Sequence, residues 1–217
     1  MGLSYILNEV GMLRSNSYVV FDSSTGEAII IDAGDDAWKI LETIQERGLK
    51  VRAIYATHCH FDHVLAVQDL QETLKCMFYI HEDDAEILAR MREMTRGFLG
   101  IDVPDPPKPD GYVADGEKIE VGGETLTVIH TPGHSPGSVC YYGGDILFSG
   151  DTLFRNSVGR TDAYGGDSEK IVKSIVGKLF TLPDDVEVYP GHGPDTTIGW
   201  EKRHNPFVRG DWLPRRG

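Results

Sequence analysis

An α/β fold of two mixed β-sheets with helices on both outer faces follows from three features of the 217-residue chain. Strand-like and helix-like segments alternate along its length. The second half repeats the order of strands followed by helices, without a strict sequence repeat. Histidines and aspartates gather where predicted strands end, on turns rich in Gly and Pro. No segment reads as a linker, so residues 1–217 are expected to form one domain.

Residues 17–21 and 28–31 are rich in β-branched and aromatic side chains and flank the polar turn Asp22-Ser23-Ser24-Thr25-Gly26, which predicts a hairpin. Asp32-Ala33-Gly34 then leads into a helix with the apolar face Ile40, Leu41, Ile44 and Leu49. A strand over 52–56 runs straight into Thr57-His58-Cys59-His60-Phe61-Asp62-His63. Val64, Val67, Leu70 and Leu74 follow at helical spacing, so the His-rich run sits on the turn between a strand and a helix. A strand at 77–80 and a charged helix at 83–94 come next. Residues 95–116 hold Gly97, Gly100, Pro104, Pro106, Pro107, Pro109 and Gly111 and are expected to form a long loop, a lid or a crossover. Strands are predicted at 118–121, 125–129, 138–142 and 145–148, with tight turns at Gly122-Gly123 and Gly143-Gly144. A helix over 168–179, a strand over 186–189 and a short helix near 199–204 complete the order.

A formal net charge of −13 favours solubility and argues against a nucleic-acid partner, which demands a basic face. The basic residues Lys202, Arg203 and Arg209 to Arg216 read as a solvated tail. No run approaches the ~20 apolar residues that span a bilayer, so no membrane partner is expected. Residues Met1–Tyr5 lack a basic segment followed by an apolar run, which argues against a secretory signal. Ile6 stands where a lipidation motif at Gly2 needs Ser or Thr. Three cysteines without close pairs point to a reducing, cytoplasmic setting. The sequence sets no oligomeric state.

His58 and His60 lie two residues apart, so in an extended segment both imidazoles face the same way. Asp62 and His63 lie where the chain turns and can face a neighbouring site. His134 sits in the rigid turn Thr131-Pro132-Gly133-His134-Ser135-Pro136-Gly137, Asp151 follows Phe148-Ser149-Gly150, and His192 lies in Pro190-Gly191-His192-Gly193-Pro194. Imidazole and carboxylate donors without thiolate suit zinc, iron or manganese. Seven donors exceed one tetrahedral ion and fit two divalent ions, most simply zinc, that share a carboxylate. Two ions ~3.5–4 Å apart turn a bridging water into a hydroxide nucleophile near neutral pH.

Other polar residues have plainer readings. Alternation turns Cys59 away from the neighbouring imidazoles, and Cys76 and Cys140 read as core. His81 reads as a helix cap, His130 as a surface or packed residue or a support for the His134 loop, and His204 as solvated. Asp32 either hydrogen-bonds a ligand histidine or starts the following helix. Arg160 either binds a substrate carboxylate or pairs with Asp162 to hold its loop. Tyr164 and Tyr142 are candidates to line the cleft.

The run His58-x-His60-x-Asp62-His63, followed by His134, Asp151 and His192, resembles the metallo-β-lactamase superfamily over nearly the whole chain. Within it the chain is most similar to glyoxalase II-like (hydroxyacylglutathione hydrolase-like) enzymes, through the His134, Asp151 and His192 turns and Gly159-Arg160-Thr161-Asp162. The resemblance implies a four-layer αββα sandwich and hydrolysis of a small-molecule thioester such as S-D-lactoylglutathione to D-lactate and glutathione. It implies that His58, His60 and His134 hold one metal and that Asp62, His63 and His192 hold a second. Asp151 would bridge them, and Asp62 would also orient the hydroxide, making Asp62 and Asp151 the catalytic carboxylates. True β-lactamases of this fold commonly lack the histidine at the His63 position, so its presence favours the hydrolase branch. The C-terminal helical domain with which full-length glyoxalase II grips glutathione is expected to be absent. Two further activities of the superfamily compete: a persulfide dioxygenase with one iron on His58, His134 and Asp151, and a lactonase. A purely structural zinc site needs only four closed ligands, fewer than the seven here.

Overall fold

The computed structural model describes residues 2–208; the basic residues from Arg209 onward lie outside the described residues. The chain opens with β1 (Leu3–Val10), β2 (Ser15–Asp22) and β3 (Glu27–Ile31), followed by α1 (Ala37–Arg47) and β4 (Lys50–Tyr55). A 3-10 turn at Phe61–His63 leads to α2 (Val67–Leu74) and β5 (Met77–His81). After a second 3-10 turn at Glu82–Asp84 come α3 (Ala85–Ala89), α4 (Met91–Leu99) and β6 (Gly111–Val113). The six strands form one sheet in sequence order, antiparallel from β1 to β3 and parallel from β3 to β6.

The second half supplies β7 (Lys118–Val121), β8 (Glu124–His130), β9 (Val139–Tyr142) and β10 (Ile146–Gly150). A two-stranded hairpin of β11 (Leu153–Phe154) and β12 (Ser157–Val158) follows. Then come α5 (Ser168–Gly177), β13 (Glu187–Pro190), β14 (Thr196–Thr197) and α6 (Ile198–His204). The second sheet runs β14-β13-β10-β9-β8-β7, with β10 and β13 parallel.

Three separate cores make four layers. Successive strand residues face opposite ways, so Ile30 packs with Ile40, Ile44, Val67 and Leu70 of the helices, while Ile29 and Ile31 turn inward. There they meet Leu126, Val128, Tyr141 and Phe148 of the second sheet. On its far side, Leu147 and Val188 pack against Ile171, Ile175 and Ile198 of α5 and α6. The result is the αββα sandwich that the sequence predicts.

Three expectations change. The first strand, Leu3–Val10, has no counterpart in the sequence reading. Most of its residues are half-exposed at the sheet edge, so their pattern is weak, yet it pairs with β2 from Leu3↔Asp22 to Val10↔Ser15. Residues 95–116 are not one loop. Helix α4 runs through Gly97 and stops at Gly100, whose φ of 71° suits glycine, and β6 occupies 111–113. One glycine inside a helix costs only about 1 kcal/mol, which tertiary packing overrides. The charged helix expected at 83–94 is split at Arg90 into α3 and α4.

The topology positions chemistry at one rim. In a parallel array the C-terminal strand ends share an edge, so β3, β4 and β5 deliver Asp32, the 57–63 run and His81 together. From the facing sheet, β8, β10 and β13 deliver His134, Asp151 and His192. Ile54 lies fully buried in β4 directly beneath this rim. Ile54→Ala is expected to lower stability by roughly 3 kcal/mol in urea unfolding, whereas Val176→Ala on the exposed face of α5 changes it by less than about 0.5 kcal/mol.

Candidate metal centre

The ligand loops are positioned by buried polar residues. At the end of β3 the chain adopts a left-handed turn at Asp32, φ 59°. This aims the Asp32 carboxylate at the start of the His-rich loop, where it accepts from Thr57 N at 2.6 Å and Thr57 Oγ1 at 2.7 Å. It also accepts from His63 Nδ1 at 2.9 Å. Thr57 Oγ1 in turn lies 3.1 Å from His58 Nδ1. Since the threonine proton is given to Asp32, Thr57 accepts from His58. His134 Nδ1 donates to the Arg160 carbonyl at 2.8 Å. In His58 and His134 the outer nitrogen thus carries the proton and the Nε2 lone pair points inward, while in His63 the bond to Asp32 fixes the proton on Nδ1 and turns Nε2 inward.

Those lone pairs converge. His134 Nε2 lies 3.2 Å from His58 Nε2 and 2.8 Å from His60 Nδ1. Nε2 of His60 is buried with no hydrogen-bond partner. Moving its proton there bares three ring nitrogens to one point, an arrangement that a cation stabilises. A second group forms around His192: its Nε2 lies 3.1 Å from Asp62 Oδ2 and 3.3 Å from His63 Nε2. Asp151 Oδ2 stands between the groups, 3.6 Å from His134 Nε2 and 3.7 Å from His192 Nε2. All seven predicted ligands are therefore brought together, and their nitrogen and carboxylate donors suit divalent metal ions.

Electrostatics sort the ligands into two kinds. Burial pushes His58 well down, His60 to about 3 and His134 to about 4, so all three are neutral at pH 7. Burial also opposes charge on His63, but Asp62, Asp32 and Asp151 outweigh it and raise His63 to about 10. For His192 the same contest is won by its bond to Asp62 and by Asp151, which raise it. Burial raises Asp151, whereas His63 and His192 overcome burial at Asp62 and hold it below the usual carboxylate range. The carboxylates thus draw protons onto His63 and His192, the positive charge that a metal ion supplies more effectively.

Several positioning residues carry no sequence signal. Asp84, buried in a run of acidic residues, accepts from Cys59 N at 2.8 Å, Ser135 Oγ at 2.8 Å and Gly137 N at 2.6 Å. It ties the His58–His60 loop to the His134 loop. Ser15 Oγ donates to Asp62 at 3.1 Å, and Asn16 Nδ2 donates to the carbonyls of Pro190 and Gly193, both at 2.9 Å, fixing the His192 turn. Two glycines are required by close approach to Asp151. A Cβ on Gly191 would lie 2.3 Å from Asp151 Oδ1, and one on Gly159 would lie 1.8 Å from the Asp151 carbonyl.

Asp32 takes the ligand-supporting role rather than a helix-start one. The Arg160 guanidinium pairs with Asp162 at 2.7 and 3.1 Å and lines the cleft above the ligands. Tyr164 turns away from the cleft: its hydroxyl bonds Glu86 and its ring packs against Arg90 at 4.4 Å. Tyr142 bonds Gly144 instead. All three cysteines are buried. His81 caps the turn through Asp83 N, His130 stacks on it at 4.0 Å, and His204 bonds Trp200. Among the described residues no helix is long and apolar enough to cross a membrane.

Residues 10–192 match the family model of the metallo-beta-lactamase superfamily. The probable metallo-hydrolase YqgX of Bacillus subtilis is 40% identical over 204 residues, covering 93% of this chain and 95% of its own. The hydroxyacylglutathione hydrolase GloC of Haemophilus influenzae is 34% identical over 203 residues, covering 92% and 95%. Among solved structures, the BLEG-1 B3 metallo-beta-lactamase superposes with a TM-score of 0.89 at 37% identity, covering 95% of this chain and 100% of that one. TTHA1623 in a di-iron-bound form superposes with a TM-score of 0.84 at 40% identity, covering 93% and 99%. The chain belongs to the metallo-β-lactamase superfamily.

Because Asp32 fixes the tautomer of His63 directly and of His58 through Thr57, Asp32→Ala is expected to weaken metal binding about 10- to 100-fold, measured by competition with a chromogenic chelator.

Proposed function

We propose that this superfamily member is a hydrolase that cleaves a thioester with two divalent ions, zinc first and iron second. The observation that carries the reading is the pair of ligand groups joined at Asp151 Oδ2. His58, His60 and His134 would hold one ion, and Asp62, His63 and His192 the other. When bound, such ions acidify a water molecule and polarise a carbonyl oxygen. The similarity to a hydrolase of hydroxyacylglutathione supports S-D-lactoylglutathione as the first substrate to test. The likeness to a di-iron-bound structure supports occupancy by two ions and makes iron the competing metal.

The chain's own residues then divide the work. Asp62, held by Ser15, is the carboxylate placed to accept a hydrogen bond from the attacking water and aim it at the carbonyl carbon. Asp151 fixes the separation of the two groups. The leaving thiol has a pKa near 8.5 and departs as the thiolate, so it needs no proton from the site. The neutral His58, His60 and His134 remain ligands throughout neutral pH because burial resists their protonation.

The test is metal analysis joined to a substrate panel. The expected result is two ions per chain and release of free thiol from S-D-lactoylglutathione without oxygen uptake. Asp62→Ala and His134→Ala are expected to reduce turnover to background. One iron per chain with oxygen consumption on glutathione persulfide would replace this reading with the dioxygenase one. Opening of a lactone or β-lactam ring, with no thioester cleaved, would replace it with a ring-opening hydrolase.

A further inference from the structure

The cleft above the ligand groups has a volume of about 500 Å3 and opens on both of them. Its wall is apolar. Leu13 comes from the β1–β2 turn, Phe61 from the ligand loop, Met94 and Phe98 from α4, and Ala163 from the loop after Arg160. Met94 and Phe98 are four residues apart, so they occupy one face of the helix, while Met91 and Thr95 anchor it inward. The rings of Phe61 and Phe98 lie 5.8 Å apart, and Phe98 is 60% exposed. Gly97 between them leaves room, since a Cβ there would meet nothing within 4 Å.

Charge is sparse on this wall. Among the described residues lining the cleft, Arg160 is the one Lys or Arg, and its guanidinium is already paired with Asp162 at 2.7 Å. Glutathione carries two carboxylates and an ammonium, and the cleft offers its carboxylates this single engaged cation. An alkyl or aryl group, by contrast, would cover Phe98 and displace water from the wall.

We infer that the non-reacting arm of the substrate, on the acyl or the sulfur side, is aliphatic or aromatic, and that Leu13, Phe61, Met94 and Phe98 select it. This rests on the thioester reading and narrows it. S-D-lactoylglutathione is then a slow substrate, and thioesters with an apolar arm are the fast ones. Since each methylene buried on the wall strengthens binding, kcat/KM is expected to rise about fourfold per added methylene until the cleft is filled.

The experiment uses the zinc-loaded protein and two homologous series: acetyl to octanoyl thioesters of a small neutral thiol, and acetyl thioesters of ethanethiol to octanethiol. The expected result is a rising kcat/KM along at least one series, exceeding that for S-D-lactoylglutathione. Phe98→Ser and Met94→Ser are expected to flatten the rise, and Gly97→Leu, which fills the open space on α4, to shorten the longest arm accepted. Titration calorimetry with octanoate against lactate supplies a readout apart from turnover: octanoate is expected to bind with a negative heat-capacity change that Phe98→Ser diminishes. Flat series with S-D-lactoylglutathione preferred would overturn the apolar arm and leave thioester hydrolysis standing. Octanoate binding with that signature while no thioester is cleaved would uphold the apolar arm and remove the thioester reading.

Discussion

The site depends on one buried carboxylate. Asp32 receives the Thr57 amide, the Thr57 hydroxyl and the His63 ring, and thereby dictates which nitrogen of His58 and of His63 faces the ligand groups. Those two histidines belong to different ligand groups, so one acceptor orients both. The arrangement is possible because β3 ends in a left-handed residue beside the end of β4, and parallel pairing of these strands sets their ends level. A carboxylate this buried would be costly unless its lone pairs were used, and three donors use them.

Around that point the sandwich works as a frame. Ligands arrive from strand ends of both sheets, and the loops carrying them are cross-linked by hydrogen bonds rather than by their own length. Asp84 joins the His58–His60 loop to the His134 loop, and Asn16 at the start of β2 grips the His192 turn. Crowding is severe enough that a methyl group at Gly191 or Gly159 would collide with Asp151. Rigid first contacts supported by a satisfied outer ring are what a precise ligand geometry requires.

Much of this was legible in the sequence. The alternation of Ile29, Ile30 and Ile31 between two cores is a sheet buried on both faces, visible as a continuous apolar run. The seven ligands stood out because histidine and aspartate at strand ends between glycines have few other uses. Edge strand β1 was not legible because half-exposed residues show no clean alternation. Helix α4 was hidden by Gly97 and the prolines beyond it, whose local preference tertiary packing overrode. Asp84, Ser15 and Asn16 escaped because their importance lies in partners 25 to 177 residues away along the chain, which no local pattern records. Tyr164 was a candidate to line the cleft, but a partner on α3 claims its hydroxyl.

Each ligand group draws on both sheets of the sandwich: His58 and His60 with His134, and Asp62 and His63 with His192. An ion seated in either group would therefore act as a rivet between the sheets, and prying the layers apart would require giving it up. Loading and folding become a single ledger: a cell starved of the ion would hold a looser protein, open to proteases at the rim, and supply of the metal would govern how long each copy survives as well as how fast it works.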